Sequence, residues 1–207
     1  MKSTNKSLHI ILIVTVTNVV CSDNRLKVSV YYESLCPYSI DFIKTKIFPH
    51  YKEFQNYVRL EWIPYGKANQ TLINGKWSFK CQHGRDECKS NMYQACGLDQ
   101  GRSQERNIEF INCVVSLINP AYTRGIEYCA RANTFDWESM ESCFRDGTGD
   151  DLLAKMGKKT SNLGSKFKHV PTVVFNDDFD PLLCEYALEN FVKATCSKII
   201  GEKPKIC

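Results

Sequence analysis

The chain lacks a dominant sign of charge. Its 27 Lys and Arg stand against 23 Asp and Glu, a net of +4. No basic block or nucleic-acid motif breaks the mixture, which predicts a solvated surface and no nucleic-acid partner. Past the first two dozen residues there is no apolar run long enough to cross a bilayer. Internal repeats, low-complexity tracts and a linker long enough to separate domains are also absent. The 207 residues are therefore expected to build one domain with a substantial core. The C-terminal Lys205-Ile206-Cys207 is no retention signal.

What is present begins with residues 1–22, which read as a secretory signal. Lys2 and Lys6 precede a mostly apolar run from Leu8 to Val20, and small residues Val20 and Ser22 suit cleavage after Ser22. The expectation is a mature domain of residues 23–207 without a membrane span, in the secretory pathway, extracellular or lysosomal. Cysteine is abundant, at eleven. Loss of Cys21 leaves ten, which in a secreted chain read first as disulfides. Asn69-Gln70-Thr71 is the one glycosylation sequon of the mature region and is placed in a polar loop; the sequon at Asn5 falls in the signal.

Leu26 to Tyr32 is strand-like, rich in β-branched and aromatic residues. A helix is predicted from Pro37 to about Phe48, stopped by Pro49, and a second strand over Val58–Ile63, giving a β-α-β start to a parallel sheet. From about 78 to 166 the pattern turns helical, with Ile108, Ile111, Val115 and Ile118 on one stripe, and Leu152, Leu153 and Met156 on another. Six cysteines lie there: Cys81, Cys88, Cys96, Cys113, Cys129 and Cys143. This predicts a disulfide-stapled helical insertion. Val170 to Phe175 reads as a further strand, and Leu182 to about Ile199 as a closing helix.

Cys36-Pro37-Tyr38-Ser39 sits where the first strand gives way to a helix. A thiolate, not a thiol, attacks disulfides, and a helix N-terminus stabilises such an anion through its dipole and free N–H groups. Cys36 is thus the candidate nucleophile of a thioredoxin-type site; the competing reading makes it one more structural disulfide. The partner expected at Ser39 would be a second, resolving cysteine, and a hydroxyl forms no disulfide. Intramolecular release by a resolving sulfur can have an effective molarity of roughly 10⁵ M, against millimolar external thiol. Pro171 is a candidate cis-proline facing Cys36, as in thioredoxin-like proteins. His169 and Glu33 are candidates to tune Cys36, or are simply solvated polar residues.

Residues Cys81 to Cys96 read C-Q-H-G-R-D-E-C-K-S-N-M-Y-Q-A-C. This resembles the signature of the gamma-interferon-inducible lysosomal thiol reductase (GILT) family at every fixed position. Tyr31-Tyr32-Glu33, Pro64-Tyr65-Gly66, Val170-Pro171 and Gly201-Glu202-Lys203-Pro204 agree with it. The resemblance implies an α/β, thioredoxin-like fold with an inserted helical region, and disulfide reduction in acidic compartments with Cys36 as nucleophile. Ser39 departs from it. The family's usual structural set is matched by Cys81, Cys88, Cys96, Cys113, Cys129, Cys143, Cys196 and Cys207. The pairing stays open, with Cys196–Cys207 the simplest local choice. Zinc on Cys81, His83, Cys88 and Cys96 is set aside in favour of disulfides, and no metal is expected. Cys184 is left over, as a free thiol or a bridge to another chain in a linked dimer.

Three functions remain. Dithiol reductase activity is impaired or lost because of Ser39. Residual monothiol reduction or isomerisation would use Cys36 and an external thiol such as glutathione or cysteine. A non-catalytic scaffold would bind other proteins. The expected partners are disulfide-containing proteins or other proteins, and no resident cofactor is called for.

Overall fold

The computed structural model describes residues 23–207, so the predicted signal lies outside the described residues. Strand β1 (Leu26–Tyr32) leads into helix α1 (Pro37–Phe42). The helical path widens over Ile43–Ile47, tightens over Phe48–His50, and ends in α2 (Tyr51–Phe54) before β2 (Val58–Pro64). β2 runs parallel to β1, in register from Leu26 opposite Val58 to Tyr32 opposite Pro64. This is the predicted β-α-β start. Pro49 does not stop the helix; it sits within the tightened turn, where its fixed φ is tolerated.

A hairpin follows, β3 (Asn69–Ile73) and β4 (Lys76–Lys80), which the expectation of a polar loop at Asn69 misses. Its two-residue turn is Asn74-Gly75, both at positive φ (49° and 76°). Asn-Gly is the commonest sequence for such a turn, so the signal is present. Asn69 itself is exposed at the first position of β3.

The insertion contains five helices: α3 (Arg85–Asp99), α4 (Gln104–Val115), α5 (Thr123–Ala132), α6 (Trp137–Asp146) and α7 (Thr148–Ser161). Ile108, Ile111 and Val115 are buried on α4, but Ile118 falls beyond its end and is fully exposed. Disulfides Cys96–Cys143 and Cys113–Cys129 tie α3 to α6 and α4 to α5. Cys81–Cys88 closes a short loop at the start of α3. Each such bridge is worth about 2–4 kcal/mol.

After the insertion, β5 (Thr172–Phe175) pairs antiparallel with β1, giving the order β2-β1-β5. β1 is thus the central strand and is buried along almost its whole length. The predicted single closing helix is two, α8 (Pro181–Glu189) and α9 (Phe191–Lys198), separated at Asn190, whose φ of −132° and ψ of 64° are not helical. Apolar periodicity runs through the break, because Ala187, Phe191 and Ala194 all face the core. Cys196–Cys207 fastens α9 to the C-terminal segment.

One ion cluster clamps the insertion to the sheet. Glu61 on β2 meets Lys159 of α7 at 2.5 Å and Lys27 of β1 at 3.2 Å, accepts from Ser29 at 2.7 Å, and Lys27 reaches Asp177 at 2.6 Å. Burial alone would raise the Glu61 pKa, but hydrogen bonds from Lys159 and Ser29 and the neighbouring cations bring it down from 4.5 to about 2. A carboxyl depressed in the fold stabilises it above its ordinary value and loses that contribution as pH falls from 4.5 toward 2. The clamp therefore survives mild acid. Glu61→Gln is expected to lose up to about 3 kcal/mol at pH 7. Urea unfolding at pH 7 and near pH 2 checks this: the gap between variant and parent should close in acid.

Candidate active site around Cys36

The turn between β1 and α1 is Glu33-Ser34-Leu35-Cys36. Cys36 caps α1 from an extended conformation; its carbonyl accepts the first helical hydrogen bond from Ile40 at 3.0 Å, and Pro37 follows where no N–H is needed. Its amide donates to the Glu33 carbonyl at 3.3 Å. The Cys36 thiol lies 3.9 Å from the carbonyl oxygen of Val170. The Val170-Pro171 peptide is cis. The structure thus brings together Cys36 and the segment of Pro171 named from the sequence. Cys36 is in no disulfide and is 6% exposed.

Ser39 lies one turn into α1 and is fully buried. Its hydroxyl oxygen accepts from the Glu33 amide at 3.4 Å. This residue supports the turn, and no sulfur stands beside Cys36 in its place. The only other free cysteine among the described residues is Cys184. It is 2% exposed, under β5, where its sulfur accepts from the Val173 amide at 3.3 Å, and burial pushes its thiol pKa up. The expected free thiol is there. At 2% exposure the sulfur presents almost no surface to the interchain bridge that the sequence also allows. His169 does not reach Cys36 as a partner; its ring pairs with Glu185 at 2.6 Å on the surface.

Glu33, by sequence either a solvated residue or a tuner of Cys36, has a third place in the structure. It is completely buried. Its Oε1 accepts from the Lys67 amide at 2.6 Å, and its Oε2 lies 3.5 Å from His83 Nδ1. His83 in turn contacts Glu87 Oε2 at 2.6 Å, and the His83 amide donates to Glu87 Oε1 at 3.0 Å. Burial is the main cause that raises the Glu33 pKa; the Lys67 amide opposes it, and the charge of Glu87 adds to it. His83, set aside with the cysteines as a zinc ligand in the sequence, joins two buried carboxylates.

The rest of the turn leans on α3. The Ser34 amide donates to Asn91 Oδ1 at 3.0 Å and its hydroxyl to the Glu87 carbonyl at 3.4 Å. One residue back, the Tyr32 hydroxyl donates to Gln94 Oε1 at 2.7 Å; Gln94 donates to Ser90 at 3.1 Å, and Ser90 to the Pro120 carbonyl at 2.8 Å. Glu87, Ser90, Asn91 and Gln94 recur at helical spacing on one face. That face is polar and yet wholly buried. Sequence reasoning misses these as site residues because polar helical stripes normally face water. The detectable signal is that Glu87 and Asn91 fall on fixed positions of the cysteine-rich signature.

Gly66 completes the frame. It has φ of 61°, and a Cβ there would overlap the Glu33 side chain at Cγ. Gly66→Ala is expected to lose about 2–4 kcal/mol through clash and backbone strain. Adding Glu33→Ala should recover some of that loss, since the two residues share one space. Urea unfolding of both single variants and the double checks it; additive losses would contradict the contact.

Residues 27–133 match the family described as gamma interferon inducible lysosomal thiol reductase (GILT). Among curated proteins, the chain is similar to a "Gamma-interferon-inducible lysosomal thiol reductase-like protein" of Anopheles gambiae, 32% identical, over 95% of this chain and 86% of the relative. It is 31% identical to "GILT-like protein 1" of Drosophila melanogaster, over 88% and 78%. Identity to the "Gamma-interferon-inducible lysosomal thiol reductase" of Mus musculus is 28%, over 88% and 76%. Among solved structures it resembles DsbA of Chlamydia trachomatis (TM-score 0.54, 15% identity, 79% of this chain and 85% of that one) and BdbD of Bacillus subtilis (0.54, 13%, 84% and 89%). The fold is accordingly thioredoxin-like with a helical insertion. No helix among the described residues is long and apolar enough to cross a membrane. The motif that packs α3 against the Cys36 turn and the matches along the chain agree: it belongs to the gamma-interferon-inducible lysosomal thiol reductase family.

Proposed function

We propose that this chain is a single-thiol member of its family, working in the secretory pathway, extracellular or lysosomal, with dithiol reductase turnover lost. The observation that carries the reading is the pair Cys36 and Ser39. The first keeps its helix-start position beside the Val170-Pro171 segment. The second puts a buried hydroxyl where intramolecular release needs sulfur. Exposed Tyr38, two residues from Cys36 in sequence and 78% accessible, offers aromatic surface to a substrate polypeptide.

The chemistry balances without a resident cofactor. The Cys36 thiolate attacks one sulfur of a substrate disulfide, forming a mixed disulfide and expelling the other sulfur as thiolate. An external thiolate then attacks the Cys36 sulfur and frees the second substrate thiol. A further external thiol regenerates Cys36 and leaves as its own disulfide. One substrate disulfide and two external thiols become two substrate thiols and one oxidised external pair. The second stage is bimolecular, so turnover is set by external thiol, and captured substrate accumulates.

Reduction of a denatured disulfide protein, followed at pH 5 and pH 7 with millimolar glutathione, tests this. The parent should trap substrate stoichiometrically and turn over slowly, Cys36→Ser should do neither, and Ser39→Cys should turn over at least about 100-fold faster. Parent and Cys36→Ser at the same background, without trapping, would leave only the non-catalytic scaffold. Parent turnover equal to Ser39→Cys would show that no resolving sulfur is needed.

A further inference from the structure

We propose that Glu33, His83 and Glu87 form a binding site for one divalent cation of the zinc type. Glu33 Oε2, His83 Nδ1 and Glu87 Oε2 come from three chain segments: the end of β1, the loop closed by Cys81–Cys88, and the first turn of α3. One ligand atom from each of the three residues lies within 4.8 Å of the others. The set differs from the zinc set considered from the sequence, whose sulfurs are all in disulfides.

The first argument is the state of each carboxylate. Glu33 Oε1 is held by the Lys67 amide and Glu87 Oε1 by the His83 amide. Each acid is thereby oriented by a backbone donor, with its second oxygen directed at the same imidazole nitrogen. Such outer contacts are what fix ligand geometry at metal centres. The second argument is independent of the clustering. Glu33 Oε2 is buried and has no hydrogen-bond partner. A buried acceptor left unmatched is costly, which calls for a proton or a cation at that point.

The distances suit a small ion. Ligand atoms about 2.1 Å from a tetrahedral zinc stand about 3.4 Å apart. The Glu33-to-His83 separation of 3.5 Å already fits, and the 2.6 Å Glu87-to-His83 contact would open by less than about 1 Å. Two carboxylates and a neutral imidazole also cancel the ion's charge. An imidazole among the donors favours zinc and its first-row neighbours over calcium and magnesium, which take oxygen. The His83 side chain is 35% exposed while both acids are closed off, so entry is from the histidine side. That leaves a fourth coordination position open to water, beside the Cys36 turn.

The test uses the mature chain carrying Cys36→Ser and Cys184→Ser, so that no free thiol competes for metal. Equilibrium dialysis against buffered zinc at pH 7.5 should give one saturable equivalent, with a raised thermal midpoint on zinc addition. Glu33→Gln and His83→Ala should each weaken binding about 10- to 100-fold, whereas Glu185→Gln, at the surface pair with His169, should leave it unchanged. Circular dichroism confirms that each variant is folded, and the partly exposed His83 is the variant least exposed to a folding defect. No saturable zinc in the parent would overturn the site and leave a proton on Glu33. Equal zinc in the parent and in His83→Ala would overturn it as well. Neither result bears on substrate trapping by Cys36, which is read separately.

Discussion

A buried polar group is costly without a partner, and this cost organises the centre of the molecule. The turn that carries Cys36 is held by a set of buried polar contacts. Tyr32 and Ser34 each project a polar group inward, and α3 answers with the Gln94 and Asn91 side chains and the Glu87 carbonyl, while Glu33 is met by the Lys67 amide and by His83. Removing either member of the Tyr32–Gln94 or Ser34–Asn91 pair strands the other in a low-dielectric interior, at a cost in stability. Gly66, at positive φ, and the Lys67 amide both close directly on the Glu33 side chain.

This separates the support of the site from its chemistry. The frame around Cys36 consists of a helix start, the Val170-Pro171 segment and the α3 face, and none of these contacts involves sulfur at position 39. Ser39 even contributes to the frame, since its hydroxyl accepts the Glu33 amide. A hydroxyl at position 39 is therefore compatible with the geometry that sets Cys36 beside the Val170 carbonyl. On the single-thiol reading proposed above, the consequence falls on kinetics and not on folding.

Much of the sheet is legible directly. β1 and β2 are apolar, β-branched and short, and their parallel pairing follows from the helix between them. The eight structural cysteines stand out as a group, but local spacing suggests only one of their pairings. The errors have physical causes. A loop is expected at Asn69 because strands β3 and β4 are largely exposed and weakly patterned, although Asn74-Gly75 marks the turn. The closing segment reads as one helix because apolar periodicity survives across Asn190. Ile118 continues the spacing of a buried stripe that in fact ends at Val115.

By itself the sequence determined the order of most elements, the cysteine at the start of the first helix, and the oxygen at position 39, because these depend on residue type and local spacing. Only the tertiary structure decided that Cys96 meets Cys143, that Cys184 is sealed beneath β5, and that Glu33 and Glu87 cluster with the partly exposed His83. Those facts depend on which surfaces close against each other. Residues some fifty positions apart carry no local periodicity that announces their contact, and a polar side chain looks the same in the sequence whether it faces water or a matching partner in the core.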